Sequence, residues 1–141
     1  MILLDTSGLL AALFPDQRAH RACVKVLLED PGPLVLSPFV LAELDYLIVK
    51  LAGVDVELQL MEEIVRGAYR LEAVLGDHVE EAGEVIRRYR EHAIGIADAS
   101  LVVLSRRLET LDVLTLDERH FRVLRGARGR RFRILPADAR A

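Results

Sequence analysis

Cysteine is nearly absent from this 141-residue chain: Cys23 stands alone, so no internal disulfide can form and oxidative stapling plays no part. A reducing cytoplasm is the expected compartment. Low-complexity tracts are missing too, and with 52% hydrophobic residues the composition excludes a disordered chain. Long apolar runs are also lacking, since uncharged stretches such as Thr6 to Phe14 are too short to cross a bilayer. The apolar start Met1-Ile2-Leu3-Leu4 has no basic leader and meets Asp5 at once, so a soluble protein with no membrane association is expected. The four histidines, His20, His78, His92 and His120, show no paired ligand spacing, which argues against structural zinc. No glycine-rich phosphate loop is present.

What remains is enough sequence for one domain over residues 1–141 with a full core. The formal net charge of -3 does not announce a nucleic-acid binder, yet arginine is unevenly placed. Arg119, Arg122, Arg125, Arg128, Arg130, Arg131 and Arg133 crowd one C-terminal segment. They read either as a phosphate-contacting rim or as a solvated surface.

Short apolar runs alternate with helical patterns. Strands are expected at 1–5, 34–36, 69–74, 112–116 and 131–135. Helices are expected at 7–13, 16–29, from Ser37-Pro38 to about Ala52, 55–67, from an Asp77 cap through Tyr89, 96–108 and 118–124. Strands so uniformly aliphatic, separated by helices, imply a three-layer α/β/α sandwich around a mainly parallel sheet. In such sheets ligands bind outside the carboxyl ends of the strands, near a topological switch point.

Four acids sit where apolar runs end or break: Asp5, Glu43, Asp98 and Asp117. Burying an ionised carboxylate among aliphatic side chains costs several kcal/mol unless charge or donors compensate, and no Lys or Arg interrupts these stretches. A cation is the simplest remedy, and an oxygen-only cluster suits Mg2+ or Mn2+. Each acid also has a plainer reading. Asp5 could cap the helix near Ser7, and Asp117 the helix after it. Asp98 could be a first-turn acid favoured by the helix dipole, by about 0.3 to 1 kcal/mol. Glu43 shares a face with Val40 and Leu47, but Asp45 shares one with Leu41, Ile48 and Val49, so periodicity leaves the two open. Strand alternation puts Thr115 and Asp117 on one side. His120 could orient a phosphate, although a packed or hydrogen-bonded histidine is the commoner state.

Leu4-Asp5-Thr6-Ser7, the Ser37-Pro38 helix with Ala42-Glu43-Leu44, Ile96-Ala97-Asp98-Ala99, and Leu114-Thr115-Leu116-Asp117-Glu118-Arg119-His120-Phe121 occur in this order along the chain. Together they resemble a PIN-domain ribonuclease of the VapC type, the toxin of bacterial toxin-antitoxin pairs, over essentially the whole length. The resemblance implies that Asp5, Glu43, Asp98 and Asp117 form that family's acidic quartet, and it favours Glu43 over Asp45. It implies supporting roles for Thr6, Ser7 and Thr115. It further implies Mg2+ or Mn2+ as cofactor, metal-assisted hydrolysis of single-stranded RNA such as tRNA or rRNA, a cognate VapB-like antitoxin and a homodimer.

Two other functions stay in view. A PIN-like fold could act mainly as a binding module. The first two helices (Leu9, Leu10, Leu13, Phe14, Val24, Leu27) and the fourth (Leu58, Met61, Ile64, Val65) carry more aliphatic residues than one core face needs, which leaves part of them for partners. Asp5-Thr6-Ser7-Gly8 could instead belong to a phosphatase with an aspartyl nucleophile, but the second acid of such a motif is missing where Ser7 stands.

Overall fold

Three consecutive aliphatics, Ile2, Leu3 and Leu4, are wholly buried, because strand β1 (Ile2–Leu4) lies in mid-sheet with both faces covered. In the computed structural model, which describes residues 1–139, β1 is flanked by β2 (Leu34–Leu36) and β4 (Asp112–Leu114). The edges are β3 (Arg70–Leu71) and β5 (Arg133–Leu135). All pairings are parallel, in the order β3-β2-β1-β4-β5. The chain builds outward from β1 to β3, then returns to the other side of β1, so the switch point falls between β1 and β4.

The helices are α1 (Thr6–Leu13), α2 (His20–Glu29), α3 (Pro38–Ala52), α4 (Val54–Val65), α5 (Gly76–Arg88), α6 (Ile96–Leu108) and α7 (Glu118–Val123). With strand order β3-β2-β1-β4-β5, crossovers of the usual right hand put the connections of the outward half on one face and those of the return half on the other. The expected sandwich is therefore present, with a sheet that is parallel throughout. No helix among the described residues is long and apolar enough to cross a membrane.

Local chemistry sets the boundaries. Ser37 caps α3 by accepting the Phe39 N–H, with Pro38 at the first helical position, and Gly53 ends it at φ 90°. Gly8 lets α1 lie against β4, because a Cβ there would stand 2.5 Å from the Leu114 carbonyl oxygen. α6 is buried on nearly every side, through Ala97, Ala99 and Leu101 to Leu104, and small residues near its start let neighbours approach closely.

Several expected boundaries shift. Residues 14–19 form turns, so α2 starts at His20 and not at Asp16. The third strand shrinks from 69–74 to Arg70–Leu71, both exposed at the edge, and so short an edge offers little to a foreign strand. Asp77 does not cap α5: the helix starts at Gly76, and the Leu75 N–H is met by His78 Nδ1 at 2.9 Å. Asp77 instead meets Arg107 from α6.

Candidate active site

Asp5 leaves β1 at the switch point and is only 5% exposed. It occupies the cap position of α1, but its carboxylate makes no cap bond. Its Oδ2 accepts instead from Thr115 Oγ1 at 2.6 Å and Ser7 Oγ at 2.9 Å. Both hydroxyls are fixed from behind, because Ser7 Oγ accepts the Leu116 N–H and Thr115 Oγ1 accepts the Asp117 N–H, each at 2.9 Å. A hydroxyl has one proton to give, and each of these gives it to Asp5. Burial still outweighs the donors and raises the Asp5 pKa above the carboxylate norm, with the Glu43 charge adding to the shift.

Glu43, in the second turn of α3, receives the Thr6 hydroxyl at 2.7 Å, so the residue after Asp5 positions a second acid. Asp98 lies in the first turn of α6. Burial, and then the charge of Asp5, push its pKa up to about 6, with a smaller contribution from Asp117, while His120 opposes the shift. Asp117 does cap α7, its Oδ1 accepting the His120 N–H at 3.0 Å. Its other oxygen faces inward, 3.0 Å from His120 Nδ1. The structure therefore gathers the four acids near the carboxyl ends of β1 and β4: the Glu43 charge bears on Asp5, and those of Asp5 and Asp117 bear on Asp98. Asp45 makes no side-chain hydrogen bond or ion pair to the described residues of the cluster.

His120 sits inside this cluster. Its Nδ1 lies 2.9 Å from Asp98 Oδ2 as well as 3.0 Å from Asp117, and since ionised carboxylates only accept, Nδ1 is assigned the proton. It is thus the hydrogen-bonded histidine that sequence favours, but its partners are two acids of the quartet, which spacing alone does not reveal.

A buried serine pair goes beyond what sequence reasoning finds. Ser37, fully buried, meets Ser100, 1% exposed, at 2.7 Å. Ser100 also bonds to the Ala97 carbonyl. This pair pins the start of α3 to the start of α6, and so fixes the helix of Glu43 against that of Asp98. Serine in an apolar helix is the available signal. An apolar groove of about 530 Å3, lined by Phe39, Ala42, Tyr46, Leu47 and Ile96, adjoins Glu43.

The donor chemistry fits a divalent cation. Ligand atoms of Asp98, Asp117 and His120 lie within 4.8 Å of one another. Asp5 and Glu43 add carboxylate oxygens whose mutual repulsion a hard ion would relieve.

Part of the arginine-rich segment is engaged within the fold. Arg122 is held by Glu118 and Asp138, Arg128 by Glu109 and Arg133 by Asp112. Arg125 donates to the carbonyls of Arg122, Val123 and Leu124. Glu109 follows the carboxyl end of α6, opposite the end that carries Asp98. Folding therefore neutralises Arg122, Arg128 and Arg133, whereas Arg119, Arg125, Arg130 and Arg131 have no acidic partner among the described residues.

Residues 2–126 match the model of the PIN domain family. The chain is 41% identical over 135 residues to ribonuclease VapC26 of Mycobacterium tuberculosis, spanning 96% of this chain and all of the relative. The fold is that of M. tuberculosis VapC20, described as a sarcin-ricin loop cleaving toxin. That match has a TM-score of 0.77 at 22% identity, covering 84% of this chain and 91% of the other.

Proposed function

The chain belongs to the PIN-domain family, and on that premise we propose that it is a divalent-metal-dependent endoribonuclease, the toxin of a toxin-antitoxin pair, acting on single-stranded RNA. The relatedness over nearly the whole chain to a ribonuclease of the VapC type supports the activity. The observation that supports the site assignment is the hydrogen-bonded convergence at the switch point, with Thr115 on Asp5, Thr6 on Glu43 and His120 between Asp98 and Asp117.

We assign these four acids as the ligands of Mg2+ or Mn2+. Held there, such an ion would supply Lewis-acid chemistry, namely polarisation of a phosphoryl oxygen and activation of water near neutral pH. The protein's own part is positional. Ser7 and Thr115 hold Asp5 in one orientation, Thr6 holds Glu43, and the α7 cap holds Asp117. No side-chain nucleophile is needed, and the aspartyl-phosphate alternative still lacks its second acid, since Ser7 stands there and donates to Asp5.

A protein partner is supported by the outer face of α4. Val54, Leu58, Met61 and Val65 recur at helical spacing and are 56%, 49%, 39% and 87% exposed. We read this face as the seat of a VapB-like antitoxin or of a second copy in a homodimer. Leu9, from the first pair of helices, is instead fully buried. The reducing cytoplasm fits the single, buried Cys23, and one sheet with one core supports a single domain over residues 1–141.

Crystals soaked in Mn2+ test the site. Anomalous density is expected among Asp5, Glu43, Asp98 and Asp117, and density at other residues alone would overturn the assignment.

A further inference from the structure

We infer that the cavity at the carboxyl end of α5 is a second RNA subsite, binding backbone phosphates that flank the bond cleaved at the acidic centre. This deepens the ribonuclease reading and rests on it. The cavity measures about 530 Å3, and Arg87, Arg88, Arg90 and Arg125 line it, with His92 and a single acid, Glu91.

Its charge is unneutralised. Arg66, Arg70, Arg107, Arg122, Arg128 and Arg133 each form an ion pair with Asp or Glu. Among the described residues no acidic side chain pairs with Arg87, Arg88, Arg90 or Arg125. Other arginines among the described residues, such as Arg119 and Arg130, also lack an acidic partner, but only here do four guanidinium groups line one cavity with a single carboxylate, which leaves it net positive and favours an anion. Two of the four are anchored by uncharged groups. Arg88 lies over the ring of the buried Tyr89, 5.7 Å from its centroid, and Arg125 is fixed by three carbonyls. Anchoring of this kind holds position and leaves the charge free.

The helix dipole covers only part of this arrangement. Cations are favoured near a helix carboxyl end, which accounts for Arg87 and Arg88 in the last turn of α5. Arg90 lies in the following 3-10 turn (Arg90–His92), and Arg125 lies beyond α7. Convergence from three elements is what an anion site needs, and guanidinium forks match phosphate oxygens in pairs.

The placement relative to the acidic centre is also suitable. Arg107 at the end of α6 pairs with Asp77 and Glu81 at the start of α5, so the two helices run antiparallel. The carboxyl end of α5 therefore neighbours the amino end of α6, where Asp98 lies. α7, capped by Asp117, is six residues long, or about 9 Å, and the chain reaches Arg125 just past its end. An RNA strand crossing four carboxylates is repelled there except at a bound cation. A cationic cavity one short helix away holds the flanking strand.

The test uses Arg87→Gln and Arg90→Gln together, both exposed surface positions, with folding checked by the melting temperature. Binding of a labelled single-stranded RNA is measured against salt in the Asp98→Asn protein, with and without the double change. The slope of log K against log salt should flatten by about 0.7 for each phosphate that the protein no longer neutralises. With Asp98 intact, KM for cleavage should rise more on long RNA than on a dinucleotide. An unchanged slope, or an equal loss on both lengths, overturns the subsite. Binding of poly-glutamate that the double change weakens, with the RNA slope unaltered, would overturn it in favour of an acidic protein segment. If Asp98→Asn protein still cleaves RNA, the acidic-site assignment itself fails, whereas arrested cleavage with an unchanged slope removes only the subsite.

Discussion

His120 Nδ1 lies 2.9 Å from Asp98 Oδ2, bridging the first turn of α6 to the first turn of α7. The same nitrogen reaches Asp117, so one ring occupies the gap between two carboxylates that a shared cation would otherwise fill. In the metal-free protein this contact offsets part of the upward shift that burial, and then the Asp5 charge, impose on the Asp98 pKa.

Asp98→Asn replaces one ligand oxygen with an amide of nearly the same shape. Mg2+-dependent cleavage of single-stranded RNA should fall by more than about 100-fold, since loss even of groups behind the ligands costs about 10–100-fold. Circular dichroism should remain unchanged. Cleavage at the parent rate would exclude Asp98 from the site.

His120→Ala removes the ring donor between Asp98 Oδ2 and Asp117 Oδ2 and leaves Asp117 only the backbone N–H of residue 120. The metal-free protein should lose about 1–3 kcal/mol at neutral pH, the usual cost of an unsatisfied buried acceptor. Saturating Mg2+ should recover most of that loss by binding the native state. Urea melts with and without Mg2+ check this, and an equal loss in both would mean that the ring serves only packing.

The pH dependence follows from the raised Asp98 pKa, about 6 in the native state, against about 3.9 for an aspartate in an unfolded chain. The native state holds the extra proton between those values, so this contribution is complete below the lower one and disappears as pH rises through the upper one. Asp5 is shifted in the same direction. The metal-free melting temperature minus that of Asp98→Asn should therefore decline from about pH 4 to about pH 6.5. The increment given by Mg2+ should grow over the same range, because protons and the ion compete for one carboxylate. A difference that is flat with pH would contradict the shift.

Gly8→Ala tests the approach of α1 to β4. The added methyl would stand 2.5 Å from the Leu114 oxygen, pushing α1, with Asp5 at its start, away from the strand that leads to Thr115. Destabilisation of about 1–3 kcal/mol or more is expected, with cleavage falling in parallel. Gly83→Ala, where nothing lies within 4 Å of the new Cβ, is the control in thermal melts.

Leu58→Glu with Val65→Glu places charge on the apolar face of α4. Sedimentation should show a lower association state, or antitoxin binding should weaken at least about 10-fold. RNA cleavage by the isolated protein should persist, because neither residue touches the acidic cluster. Unaltered assembly and antitoxin affinity would relieve this face of any partner role.

Much of the layout is legible in the sequence because its signals are local. Ile2-Leu3-Leu4 and Val113-Leu114 read as strands since parallel strands covered on both faces need unbroken aliphatic runs. Ser37-Pro38 and Gly53 mark the ends of α3 by backbone chemistry alone. The third strand is shorter than its composition suggests: Tyr69 to Val74 reads as a strand, but only Arg70 and Leu71 find a neighbour. α5 begins one residue before Asp77 because a histidine ring meets the orphan amide. The arginine segment is only partly legible, since seven charges look alike in sequence until folding pairs Arg122, Arg128 and Arg133 with Glu118 and Asp138, Glu109, and Asp112.

The sequence by itself determined which acids could not stay unpaired, because an ionised carboxylate inside an aliphatic run has no local compensation. It thereby selected Asp5, Asp98 and Asp117, and with them the class of chemistry. Tertiary structure decided what each acid meets: Thr115 at Asp5, Thr6 at Glu43, and His120 between Asp98 and Asp117. Those partners lie as far as 110 residues apart in the chain. Their contact depends on strand order and helix packing, which are set by the burial of the whole core and not by any short stretch of sequence.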